Sequence, residues 1–183
     1  MFRLILTFIR KNWVHFVIWA TMLIYVLVAP PLYTRYVLKA GKAVSFAEDL
    51  PRRITKRISY AVDRLDPVIF HSQNLYELWG WSFIKGETDQ SAYERFIVLQ
   101  SGSQTYLFSI ENKVRPDVQS TYTNLHLDLT NSGFSAYISK DVIKPGIYQI
   151  GILFKNRASG QIYYIVTHAR TIRTANKLQL LSP

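Results

Sequence analysis

Hydrophobic and polar positions divide the chain into three stretches of different period. From Asn12 to Thr34 no Asp, Glu, Lys or Arg interrupts the sequence, which is bounded by Arg10-Lys11 and Arg35. A bilayer core about 30 Å thick needs roughly 20 apolar residues in a helix, so this stretch predicts one membrane-spanning helix. Trp13, Tyr33 and Tyr36 stand near its ends, where amphipathic rings favour the headgroup boundary. Pro30-Pro31 predicts a bend or a stop there, because proline removes a donor and crowds the preceding turn.

In the second stretch, Phe46, Leu50, Ile54, Ile58, Ala61 and Leu65 recur every three or four residues, a helical stripe. Asp49 suits its cap, Pro51 its first turn and Asp66-Pro67 its end. Arg52, Arg53, Lys56 and Arg57 flank the stripe. The pattern predicts a basic amphipathic helix, either on the membrane surface with those four residues toward lipid or packed on the following domain or a partner subunit.

From Leu75 the period shortens to that of strands. Leu75–Ile84, Arg95–Gln100, Thr105–Ile110, Phe134–Ile138, Ile147–Phe154, Ile162–His168 and Leu178–Leu181 are separated by turn residues such as Asn131-Ser132-Gly133, Lys144-Pro145-Gly146 and Ala158-Ser159-Gly160. Around seven short strands predict an all-β antiparallel sandwich. Alternation in the first of them places Leu75, Glu77, Trp79, Trp81 and Phe83 on one face. The predicted organisation is an anchor over residues 1–38, a helical neck over 39–67 and the sandwich over 68–183.

Charge sharpens this division. Of the net +10, residues 1–67 hold a surplus of +7 and residues 68–183 only +3. A nucleic-acid binder concentrates positive charge on its folded domain, whereas this excess lies beside the predicted span, where basic side chains meet anionic lipid. Nucleic acid is therefore not an expected partner, and membrane lipid is. A cleaved signal peptide fits poorly, since the apolar stretch is long and leaves through Ala29-Pro30-Pro31 without an Ala-x-Ala pattern. Flanking charge, with Arg3, Arg10 and Lys11 before the span against Arg35, Lys39, Lys42, Arg52 and Arg53 after it, leans toward a cytoplasmic C-terminal portion without settling the orientation, since long domains cross regardless of it.

Chemistry-bearing motifs are sparse. There is no cysteine, hence no disulfide, thiolate nucleophile or Cys-based metal site. His15, His71, His126 and His168 lack ligand spacing, and no nucleophile elbow, phosphate loop or dinucleotide fingerprint occurs. No catalytic residue, metal or cofactor is expected. Glu77, Glu87, Asp89, Glu94, Glu111, Asp117, Asp128 and Asp141 leave one enzymatic alternative, paired carboxylates acting on glycans. The strand region is rich in Trp and Tyr, which serve either a sandwich core or a face that stacks on sugars or on protein.

Arg115-Pro116-Asp117-Val118, Ser132-Gly133-Phe134 and Lys144-Pro145-Gly146-Ile147-Tyr148, preceded by Trp79-Gly80-Trp81, resemble an immunoglobulin-like β-sandwich module of bacterial cell-envelope and membrane proteins. The resemblance spans about half the chain, Leu75–Thr167. It implies an immunoglobulin-like sandwich in an envelope setting, placed outside the cytoplasm on a single-pass anchor, and it implies no catalytic residue. Arg115 and Asp117 fit a loop brace held by a charge-assisted hydrogen bond. The expected function is a non-catalytic binding or assembly module that engages envelope polysaccharide or a membrane protein, with Trp79, Trp81, Arg115, Asp117 and Tyr122 as its candidate binding residues.

Overall fold

The computed structural model describes residues 13–15, 17–29, 32, 43, 55–68, 74–102 and 104–181. The chain divides into two compact units, Met1–Val37 and Leu38–Pro183. In the first, residues 13–15 and 17–29 are helical. Their apolar side chains are open, with Trp19, Tyr25 and Leu27 between 64% and 72% exposed, and the Thr21 hydroxyl donates back to the Val17 carbonyl at 2.8 Å. Among the described residues no helix is long and apolar enough to cross a membrane. Arg52, Arg53 and the stripe positions 46, 50 and 54 lie outside the described residues.

The second unit is built from nine strands among the described residues: β1 (Ile58–Pro67), β2 (Leu75–Ile84), β3 (Tyr93–Ser101), β4 (Gln104–Ser109), β5 (Glu111–Lys113), β6 (Gly133–Ser139), β7 (Gly146–Asn156), β8 (Ile162–Arg173) and β9 (Leu178–Leu181). They form two sheets, ordered β1-β2-β6-β5 and β4-β3-β7-β8-β9, and every pairing is antiparallel. The sheets face each other in a sandwich-like pair. Tyr76, Leu78, Phe134 and Ala136 from one meet Ile97, Leu99, Ile150, Ile152 and Phe154 from the other in a single buried core.

Strands covered on one face alternate, whereas strands covered on both read as apolar runs. Phe96-Ile97-Val98-Leu99 in β3 is such a run: Ile97 and Leu99 enter the main core, and Phe96 and Val98 join Leu107, Leu153 and Tyr164 in a second buried cluster. Gly151 in β7 belongs with that cluster, because a Cβ there would stand 2.6 Å from the Tyr164 ring.

One sequence expectation is corrected. Residues 58–67, assigned above to the end of a helix, are strand β1, so the sandwich starts ahead of residue 68. The pairing with β2 slips between Val62 and Arg64. A β-bulge of this kind adds one residue to the inward repeat, and Ile58, Tyr60, Val62 and Leu65 all pack on the main core. The resulting two-two-three spacing brings Ile58 and Leu65 seven residues apart, which two turns of helix would also do. Thr55, Lys56 and Arg57 are not helical either.

Candidate functional site

Register puts the candidate residues on the outer face of the four-stranded sheet. Arg64, Trp79, Ser135 and Glu111 are successive partners across β1, β2, β6 and β5, and Ala61, Trp81, Gly133 and Lys113 form the next row. The two tryptophans, two residues apart on β2, have different surroundings. Trp81 stacks on Phe83 at 5.9 Å between centroids and meets Tyr122 at 5.6 Å. Phe83 in turn meets Tyr122 edge-on at 5.2 Å. With Val118, Leu127 and Leu129 these rings make a third small core, roofed by the short helix Pro116–Thr121 and the turn Thr123–Leu125. Trp81 and Tyr122 are therefore largely spent on packing.

Trp79, like Trp81, is half-buried. The Arg64 guanidinium carbon lies 4.9 Å from its ring centroid and the Lys113 ammonium 5.5 Å, within the range at which a cation is drawn to an aromatic face. Lys113 is held by Glu111 at 3.1 Å, and Arg64 by Asp66 at 3.0 Å. Beside Trp79 in the row, Ser135 is fully buried and its hydroxyl has no hydrogen-bond partner among the described residues.

Arg115 braces one corner of this face. Its Nε and Nη2 donate to Asp117 at 2.9 and 2.8 Å, and its Nη1 donates to Asp63 in the β1 bulge at 2.7 Å. The hydrogen bond from Arg115 holds the Asp117 carboxyl at about 2, below its ordinary 3.8. The same pair of carboxylates, Asp117 first, raises Arg115 above the usual guanidinium range. Pro116 opens the helix and Asp117 sits in its first turn, where negative charge suits the helix dipole. Both arginine prongs are committed within the chain, so the pair fastens a loop. Arg57, one of the four basic residues assigned to the membrane surface, donates to Glu87 at 2.8 Å and to the Tyr163 hydroxyl at 3.0 Å. Lys56 is exposed.

A second constellation escaped the sequence reading. Arg95 points inward from β3, on the alternation shared with Tyr93, Ile97 and Leu99. Its Nη1 donates to the carbonyls of Ser82 and Ser132 at 3.0 and 2.9 Å. Its Nη2 donates to Asn112 Oδ1, Asn131 O and Gly133 O at 2.6, 3.1 and 2.9 Å. Burial pushes its pKa down to about 10, still far above neutrality, so the guanidinium stays charged. Beside it is a cavity of about 210 Å³, lined by both Asp89 and Asp128. The signal for this site was an arginine on the inward phase of an apolar strand, where an unpaired charge is costly. Its acceptors come from distant loops, which alternation alone cannot supply.

The other predicted groups stay apart. Glu77 faces outward on β2, and His126 is an exposed left-handed cap with φ 53°. His168 lines an open groove of about 570 Å³ along β1, β8 and β9. Among the described residues no three His, Asp or Glu side chains are grouped to hold a metal ion. No protein-family model matches the chain, and comparison with curated proteins and with solved structures gives no match either.

Proposed function

We propose that the chain is a non-catalytic, membrane-tethered binding or assembly module of the cell envelope, engaging polysaccharide or a membrane protein partner. The observation that carries this reading is Trp79, half-exposed on the outer sheet face, with Arg64 and Lys113 against its ring. Trp and Arg together are the usual anchors of recognition surfaces, since they offer broad contact area with polar handles. The tether is supported by the charge-free stretch Asn12–Thr34 and by the open apolar side chains of helical residues 17–29.

Two features support an immunoglobulin-like identity for the sandwich. The order β1-β2-β6-β5 against β4-β3-β7-β8 follows the immunoglobulin pattern A-B-E-D against C′-C-F-G, with β9 added at the far edge. Tyr148, near the start of β7 and 1% exposed, donates its hydroxyl to the Lys144 carbonyl at 2.8 Å. A tyrosine bonded back to the backbone at the E–F corner is a hallmark of that fold. The cysteine pair and the strand-C tryptophan of antibody domains are missing from this sequence. Two residues beyond Tyr148, where such domains carry a cysteine, stands the fully buried Ile150.

Asp89 and Asp128 in one cavity favour the enzymatic alternative. Glycoside hydrolysis, however, needs one carboxyl held protonated by a raised pKa. Hydrogen bonds from Ser91 and from Thr130 lower both, which suits binding.

The test is capture by the full chain in detergent. An envelope glycan array or a defined membrane protein should be retained by the wild type and lost by Trp79→Ala and by Arg64→Ala. Capture indifferent to both changes moves the contact off this face. Hydrolysis or transfer of a bound glycan replaces the binding reading with catalysis. The orientation proposed is cytoplasmic for the N-terminus and extracytoplasmic for the sandwich. Protease added to intact cells should then clip the sandwich, and protection until lysis reverses that assignment.

A further inference from the structure

We infer that the cavity beside Arg95 and Ser132 binds a single neutral, polyhydroxylated ring. It opens where the β2–β3 loop meets the loop leading into β6, and Tyr93, Asp89, Asp128 and Asn131 also line it. These residues are separate from the Trp79 face, so the inference stands without it.

Three observations select this class of ligand. The first is an unfilled polar group. Ser132 is 5% exposed, and its hydroxyl has no hydrogen-bond partner among the described residues. Burying a hydroxyl without a partner is costly, and a group left so beside an accessible cavity asks for a donor or acceptor from outside.

The second is charge. Arg95 brings a buried positive charge to the wall, which disfavours a metal cation. Its six hydrogen bonds from Nη1 and Nη2 already end on protein oxygens, which leaves those nitrogens committed and removes the usual fork for an anionic ligand. Asp89 and Asp128, ionised because hydrogen bonds lower both pKa values, repel anions as well. Neutral hydroxyls are what remains. They donate to carboxylates and to the Asn131 amide oxygen, and they accept from the amide nitrogen and from Ser132.

The third is size and shape. A volume of about 210 Å³ falls below the roughly 300–1,000 Å³ of pockets for drug-sized ligands. It has room for one ring and not for a chain of them. Tyr93, 8% exposed at the cavity wall and backed edge-on by the buried Phe154 at 6.3 Å, gives the C–H edge of such a ring a small apolar surface.

The experiment is saturation-transfer NMR on the full chain in detergent micelles. Glucose, galactose and mannose are the probes, with glucuronate, inorganic phosphate and Ca²⁺ as charged competitors. A one-ring site of this kind binds in the region of about 1 mM, so sugar to about 20 mM covers the range. At least one hexose should receive saturation. Asp128→Asn, isosteric and exposed, should weaken it about tenfold, as loss of a charged acceptor does. Asn131→Leu should abolish it, and Trp79→Ala should leave it unchanged. The inference is overturned if no hexose binds the folded wild type. It is overturned equally if binding is lost in Trp79→Ala but kept in both cavity variants, or if glucuronate, phosphate or Ca²⁺ occupies the cavity in place of a hexose. Absence of partner capture through Trp79 alongside normal hexose binding would sink the face proposal and leave this one standing.

Discussion

Arg115 shows how much of this site a few residues decide. Its guanidinium ties Asp117 beside it in sequence to Asp63, 52 residues earlier, so one side chain joins the helix Pro116–Thr121 to the bulge of β1. Because the folded pKa of Asp117 is lowered from 3.8 to about 2, its contribution is complete above the ordinary value and disappears as pH falls through the folded one. The melting temperature should fall from this source between about pH 4 and pH 2, and Asp117→Asn should flatten that part of the profile. The Arg-Pro-Asp triplet made the Asp117 half of the brace readable from sequence. Asp63 was not, because its closeness is made by strand pairing. The tryptophans tell the same story. Their shared face was legible from alternation, but not that one would pack on Tyr122 and the other lie against Arg64 and Lys113. Trp81→Ala should cost about 3 kcal/mol, as removal of a packed aromatic does. Trp79→Ala should cost less, about 1–2 kcal/mol, since its half-buried ring gives up a cation–π contact and part of its packing but opens no internal cavity. Urea unfolding of both variants distinguishes the two roles.

At the level of elements, β2 and β9 could be placed to the residue from the sequence, because each is a short apolar run between turn residues. The three-residue β5 carries no apolar signal at all in Glu111-Asn112-Lys113, and β1 was disguised by its bulge. The β1–β2–β6 junction also depends on a missing side chain. A Cβ on Gly80 would lie 2.3 Å from the Ala61 carbonyl oxygen and 2.5 Å from the Phe134 ring. Gly80→Ala should therefore destabilise by about 3 kcal/mol or more, since neither the paired backbone nor the buried ring has room to move. Gly102→Ala, with φ +55° and nothing within 4 Å, should cost only about 1–2 kcal/mol of backbone strain. Denaturant midpoints of the two variants should separate accordingly.

For the whole molecule, the pattern of strands gave the all-β architecture, while the place where the sandwich begins required the structure. The compact unit runs from Leu38 to Pro183, and β1 forms one edge of its four-stranded sheet. A fragment starting at Leu38 should give a β-dominated circular dichroism spectrum and one cooperative melt. A fragment starting at Val68 loses the fully paired partner of β2, along with Ile58 from the core. It should melt at a lower temperature or associate through the bared strand. Equal stability of the two fragments would show that β1 contributes nothing, and a mainly helical spectrum would remove the architecture itself.

Arg95 carries a consequence for the order in which the chain assembles. The oxygens it binds belong to Ser82, Asn112, Asn131, Ser132 and Gly133, between 13 and 38 residues away in sequence. No short piece of chain can gather them early, so the knot closes only after both sheets have met. Interactions formed after the transition state leave the folding rate alone and govern escape from the native state. Arg95→Met should therefore steepen spontaneous loss of structure, raising the unfolding arm of a stopped-flow chevron and leaving its refolding arm in place. That outcome would make the residue a latch on the lifetime of the fold.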